Sequence, residues 1–161
     1  MNFQINVDSL KTALKIAQKA MDKNEDLPVR TYFHVSLTDD GHVVILASGQ
    51  LFSVTLKLTP DCIITHGEPI LLSTKAIKYL DKLDVEEVVV VRSETKGISN
   101  SVEIVSNSGY VAYNSFPADQ YPLPKQIDET LTNISYPVSM QSIAKVLNKS
   151  IPEIFFSWES L

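Results

Sequence analysis

Apolar and polar positions along this chain switch between two periods, and the switches mark out a repeated plan. Phe3, Ile5 and Val7 alternate with Asn2, Gln4 and Asn6, which predicts a half-buried strand. Leu10, Ala13, Leu14, Ala17, Ala20 and Met21 then recur at the spacing of one helical face, which predicts an amphipathic helix. Asp8 or Ser9 is the expected N-cap, since either side-chain oxygen can accept from a free N–H of the first turn. Lys11, Lys15 and Lys19 recur every fourth residue, so they form a second stripe that the core leaves uncovered.

The same plan returns twice. In the second copy, Pro69 to Leu83, a strand ends at Ile70-Leu71-Leu72 and Ser73 is the expected cap. Ala76, Ile77, Leu80 and Leu83 make the apolar stripe, with Lys75, Lys78 and Lys82 on the exposed side. In the third, Ile134 to Lys149, Ser139 is the cap, Met140, Ile143, Ala144 and Leu147 form the stripe, and Lys145 and Lys149 are exposed. The caps Ser9, Ser73 and Ser139 stand about 65 residues apart, a fixed period that marks an internal repeat. Three ordinary amphipathic helices, kept soluble by their lysines, are the plainer account of the same pattern.

Between the helices the period is two. Phe33, Val35 and Leu37 alternate with polar residues, Asp39-Asp40-Gly41-His42 is a predicted hairpin turn, and Val43 to Ala47 returns. Ser48-Gly49-Gln50 turns again into a strand through Phe52, Val54, Leu56 and Leu58, and Pro60 to Glu68 is expected to be a loop. After the second helix come a strand over Val88 to Arg92, a polar loop, a strand with Val102 and Ile104, a turn at Asn107-Ser108-Gly109, and a last strand over Tyr110 to Asn114. Two β-α-β-β-β units therefore predict an α+β domain with two helices on one side of antiparallel sheet. Phe116 to Pro124 is proline-fixed, unsuited to an inner strand, and expected to pin the chain across the sheet edge. The expected divisions are a first domain over 1–125, a linker over 126–133, and over 134–161 the incomplete start of a second domain, whose helix face lacks its sheet.

Charge sharpens this picture. The 161 residues carry 14 basic and 19 acidic side chains, net −5, so bulk charge does not point to nucleic acid. Eight of the 14 basic residues, however, are lysines of the three helical stripes. The acids gather in loops: Asp22 to Asp26, Asp39-Asp40, Asp84 to Glu87, Asp119, and Asp128-Glu129. A basic strip acts locally whatever the total.

Catalytic and metal chemistry find little support. His34, His42 and His66 fall on a strand, a turn and a loop, without metal-ligand spacing, and are expected to be surface or turn residues. Asp39-Asp40-Gly41 lacks the remaining ligands of a calcium loop. No nucleophile elbow or phosphate-binding glycine motif is present. The lone Cys62 beside Ile63-Ile64 is expected to be a small buried hydrophobe, and a reducing compartment follows from the cysteine count. The start has no basic segment before an apolar run, and no run reaches the roughly 20 residues a bilayer crossing needs.

With these parts in order, the chain resembles the bacterial DNA polymerase III beta subunit, the sliding clamp: its first domain and the opening of its second. Met1-Asn2-Phe3 and the helix after it, Leu27-Pro28-Val29, and above all Phe116-Pro117-Ala118-Asp119-Gln120-Tyr121-Pro122-Leu123-Pro124 carry the resemblance. It implies a DNA-clamp fold and a non-catalytic, cytoplasmic processivity factor without cofactor or metal. Such chains close into a ring around duplex DNA. On that basis Lys11, Lys15, Lys19, Lys75, Lys78 and Lys82 would face DNA phosphates without reading sequence. The edge Tyr110, Val111, Ala112 and Tyr113 would meet another clamp chain, with Val111 and Tyr113 facing that partner. Clamp loader and polymerase peptides would be partners only of a full-length clamp. Two departures stand out. Ala47-Ser48-Gly49-Gln50-Leu51 replaces the family's Ala-Thr-Asp-Leu-Glu turn, and the loop Asp22 to Asp26 has only Lys23 positive. A clamp-like accessory protein that binds a clamp or its loader without encircling DNA is the alternative.

Overall fold

A computed structural model describes residues 1–21, 27–49, 53–93 and 101–124. The third repeat, the linker 126–133, the loop Asp22 to Asp26 and residues 94–100 of the polar loop lie outside the described residues.

Two antiparallel sheets and two helices make an α+β domain. Strand β1 (Asn2–Asn6) runs straight into helix α1 (Val7–Ala17); β2 (Tyr32–Leu37), β3 (Val43–Ser48) and β4 (Ser53–Leu58) follow. Then come β5 (Cys62–Thr65), β6 (Ile70–Ser73), the short helix α2 (Ala76–Leu80), β7 (Glu87–Ser93), β8 (Ser101–Ser106) and β9 (Gly109–Asn114). The predicted β-α-β-β-β unit thus occurs twice, as β1-α1-β2-β3-β4 and β6-α2-β7-β8-β9. What the sequence pattern did not convey is that the units exchange their first strands. One sheet has the order β5-β1-β7-β8-β9 and the other β4-β3-β2-β6. β1 pairs with β7 of the second unit, and β6 pairs with β2 of the first. Neither unit can complete its sheet alone.

The main core is shared. Phe3 and Ile5 of β1, Leu10, Ala13, Leu14 and Ala17 of α1, Phe33, Val35 and Ile45, Ile77 and Leu80 of α2, and Val90, Val102 and Ile104 form one buried cluster. α1 packs on β3, β4 and α2. Both hairpin turns form where predicted. Gly41 takes φ +83°, which a side chain would disfavour, and its N–H donates to the Thr38 carbonyl at 3.0 Å. Gly109 takes φ +142° after Asn107-Ser108.

Several expectations are corrected. The cap of α1 is Asn6, whose Oδ1 accepts from the Ser9 N–H at 3.0 Å; neither Asp8 nor Ser9 caps it. The sequence pattern ran the strand one residue into the helix, to Val7. Ser73 Oγ accepts from the Lys75 N–H at 3.3 Å, one turn ahead of α2, whose own N-cap position is Lys75. Residues 60–68, expected as a loop, contain β5, which pairs antiparallel with β1 at the edge of the five-stranded sheet. Cys62 sits there exposed rather than buried.

The exit segment crosses the outer face of the four-stranded sheet instead of its edge. Ser115 Oγ donates to the Leu71 carbonyl at 2.7 Å, and the Phe116 ring meets Tyr32 edge-on at 5.3 Å. Tyr121 is buried with Leu46 and Leu71, and its hydroxyl accepts from the Ser48 N–H at 2.9 Å. This second small core explains the unbroken run Ile70-Leu71-Leu72. Ile70 and Leu72 point into the main core, and Leu71 points to the other face under the strap. It also corrects His34, which is buried against the Tyr121 ring at 5.5 Å rather than at the surface. Burial lowers the His34 pKa from its ordinary value.

Candidate nucleic-acid interface

The six lysines lie on the two helices and the turns that flank them, opposite the buried stripes. Val7, Leu10, Ala13, Leu14 and Ala17 are the covered side of α1, which leaves Lys15 exposed and Lys11 half-buried. Lys19 is exposed in the single 3-10 turn Gln18–Ala20 that continues α1. Ala76, Ile77 and Leu80 are the covered side of α2, and Lys75, Lys78 and Lys82 are exposed around it.

One contact ties the two halves together. Lys15 Nζ lies 2.7 Å from Asp81 Oδ1, so the last turn of α1 meets the residue that closes α2. Lys11 also feels the charge of Asp81, although its hydrogen-bonded partner is Asp8, at 2.6 Å and one turn earlier in α1. The Lys11 bond holds the Asp8 carboxyl below its ordinary pKa, and Asp8 in turn raises the Lys11 ammonium above its own. Lys78 stands three residues before Asp81 on the same helical face, and Lys82 directly after it. Lys11 and Lys15 therefore meet Asp81 at the seam between the helices, with Lys78 one turn before it on α2. Lys19 lies a turn beyond Lys15. Lys75 lies at the opposite end of α2, where its carbonyl accepts from the Tyr113 hydroxyl at 3.5 Å. Among the described residues, Lys75, Lys78 and Lys82 form no ion pair.

Two acids lie in this face: Asp8, expected only as a cap, and Asp81, which the sequence pattern did not single out. Asp8 carried a signal, because a carboxylate three residues before a lysine is a known helical pair. Asp81 carried none, because its partner is 66 positions away.

The chemistry of the face is that of ammonium groups on short rods, with no convergent polar pocket. Among the described residues, no three His, Cys, Asp or Glu side chains group as metal ligands, and no helix is long and apolar enough to cross a membrane. A cleft of about 510 Å³ opens elsewhere, under the strap, where His34, Arg92, Phe116 and Leu123 line it. Its Arg92 is already paired with Glu68 at 2.9 Å.

The second predicted site is on the far flank. Among the described residues β9 pairs with β8 alone and is an edge of the five-stranded sheet. Tyr110 is 69% exposed and Ala112 is exposed, whereas Val111 and Tyr113 pack toward the main core. The side chains expected to face a partner thus turn inward, since strand residues alternate and the core takes this pair. What the edge offers outward is backbone together with Tyr110 and Ala112.

The fold has close counterparts among solved structures. The beta subunit of the Streptococcus pyogenes DNA polymerase superposes with a TM-score of 0.70 at 20% identity, over 80% of this chain and 34% of that one. The DNA polymerase III beta chain of Streptococcus pneumoniae gives a TM-score of 0.72 at 18% identity, over 91% of this chain and 38% of that one. The Helicobacter pylori beta clamp bound to a DNA ligase peptide gives 0.70 at 17% identity, over 80% and 34%. This chain spans about a third of the length of the clamps it matches. No family model matches the sequence, and no curated protein matches it.

Proposed function

We propose that this chain, which has the fold of part of a bacterial beta clamp, is a replication protein of the cytoplasm. In this role it contributes α1 and α2 to the inner wall of a ring around duplex DNA and so to polymerase processivity. The observation that carries the proposal is the Lys15–Asp81 contact, which joins two lysine-bearing helices into one exposed basic face. Lys11, Lys15, Lys19, Lys75, Lys78 and Lys82 meet phosphate oxygens and no base edges, so binding is sequence-independent and weakened by salt. The role is positional, without catalysis, metal or cofactor. The edge of β9, residues Tyr110 to Tyr113, joins another clamp chain by strand pairing. Residues 1–125 act as one domain, 126–133 as a linker, and 134–161 open a second. Capture of clamp-loader and polymerase peptides belongs to a full-length clamp.

Charge reversal at Lys15, Lys19, Lys75 and Lys78 to Glu tests the face. Fluorescence anisotropy with a labelled duplex should show binding by the parent chain and none by the variant. Equal binding by both would overturn the proposal. The flank of β9, exposed and without a strand partner among the described residues, favours one second reading, an accessory protein that docks on a clamp or its loader without encircling DNA. On that reading Val111→Pro releases the protein partner while the lysine reversals do not.

A further inference from the structure

We infer that Asp8 and Asp81 are built-in competitors of DNA phosphate: they hold Lys11 and Lys15 in internal pairs, so the α1 half of the basic face contacts DNA more weakly than the α2 half. The inference rests on the proposed DNA-facing role of the helices and adds a means by which the protein limits its own grip.

Three observations support it. Asp8 and Asp81 are acids set within the lysine face, at 2.6 Å from Lys11 and 2.7 Å from Lys15. Asp8 is 83% exposed and Asp81 43% exposed at the side chain, so both carboxylates stand where an approaching phosphate would stand. Lys75, Lys78 and Lys82 meet no such partner among the described residues. A carboxylate and a phosphate oxygen compete for the same N–H groups, and the carboxylate's charge offsets the ammonium's, so each internal pair weakens its lysine's hold on a phosphate. Meanwhile the two negative charges repel the DNA locally, within the roughly 10 Å over which surface charges act at moderate salt. A face arranged this way holds DNA loosely, which suits a surface that DNA moves past.

The test is a salt titration of the full chain with a labelled duplex of mixed sequence. The double variant Asp8→Asn, Asp81→Asn should bind roughly tenfold tighter near 50 mM salt. Its plot of log Kobs against log salt should steepen by up to about 1.8, at ~0.9 for each phosphate newly neutralised. Asp39→Asn with Asp119→Asn removes the same charge from the hairpin tip and the strap, and should leave the slope unchanged. In the parent chain, Lys11→Gln with Lys15→Gln should cost less affinity than Lys75→Gln with Lys78→Gln. If the parent binds and the Asp8, Asp81 variant binds no tighter, or the control gains as much, the inference fails while the DNA-facing reading survives. The inference fails too if the two lysine pairs cost the same. If neither parent nor variant binds duplex DNA, the DNA-facing reading fails and takes the inference with it.

Discussion

The two repeats share one sequence plan and differ in nearly every physical detail of its execution. In the first, Asn6 caps a helix of 11 residues that buries five side chains and carries its lysines clasped by acids. In the second, Ser73 supports only the turn before a helix of five residues, which buries three side chains, and among the described residues Lys75, Lys78 and Lys82 form no ion pair. An isolated helix of five residues has no stability of its own. α2 therefore exists because Ala76, Ile77 and Leu80 are packed into a core that the first repeat largely supplies. The exchange of β1 and β6 makes that dependence mutual. The first repeat supplies more of the shared core and the second the less encumbered charge.

Substitutions can break this asymmetry, the largest effect coming from the core. Leu14→Ala should cost about 3 kcal/mol and Ile77→Ala about 2 kcal/mol, because Leu14 is fully enclosed and Ile77 is 7% exposed. Urea denaturation measures both; equal losses would mean the helices contribute equally. The strap comes next. Tyr121→Phe strands the buried Ser48 N–H and should cost about 1–2 kcal/mol in the same assay. The caps follow: Asn6→Ala should cost about 1 kcal/mol and Ser73→Ala only a few tenths.

The smallest effect is one of pH. Burial holds the His34 pKa below its ordinary value of 6.5, so the unfolded chain takes up this proton first as pH falls. Stability should be unaffected by this group above that value and should decline as pH drops below it towards the folded-state pKa. His34→Gln should flatten that part of the pH profile in thermal melts. An unchanged profile would show that His34 does not drive it.

How much of this was legible depended on distance along the chain. The strands of both repeats, the hairpins at Gly41 and Gly109 and the apolar stripes follow from local period and turn chemistry. The strand exchange is a pairing between β1 and β7 and between β6 and β2, and no local pattern encodes it. β5 was hidden because Cys62 to Thr65 is an edge strand with little buried surface, four residues between a proline and a glycine. His34 looked like an ordinary outward position of β2, and only the strap from the far end of the domain buries it. The lysines of the basic face were visible in the sequence. Their counter-charge was visible only at Asp8, because Asp81 meets Lys15 through the packing of one helix on the other.

The most direct test of the basic face is an amide-resolved NMR titration of the isotopically labelled chain with a short duplex. The account predicts shifts concentrated over Lys11 to Lys19 and Lys75 to Lys82, alike for two unrelated duplex sequences and erased by added salt. Shifts centred on β9 or the strap, or none at all, would contradict it.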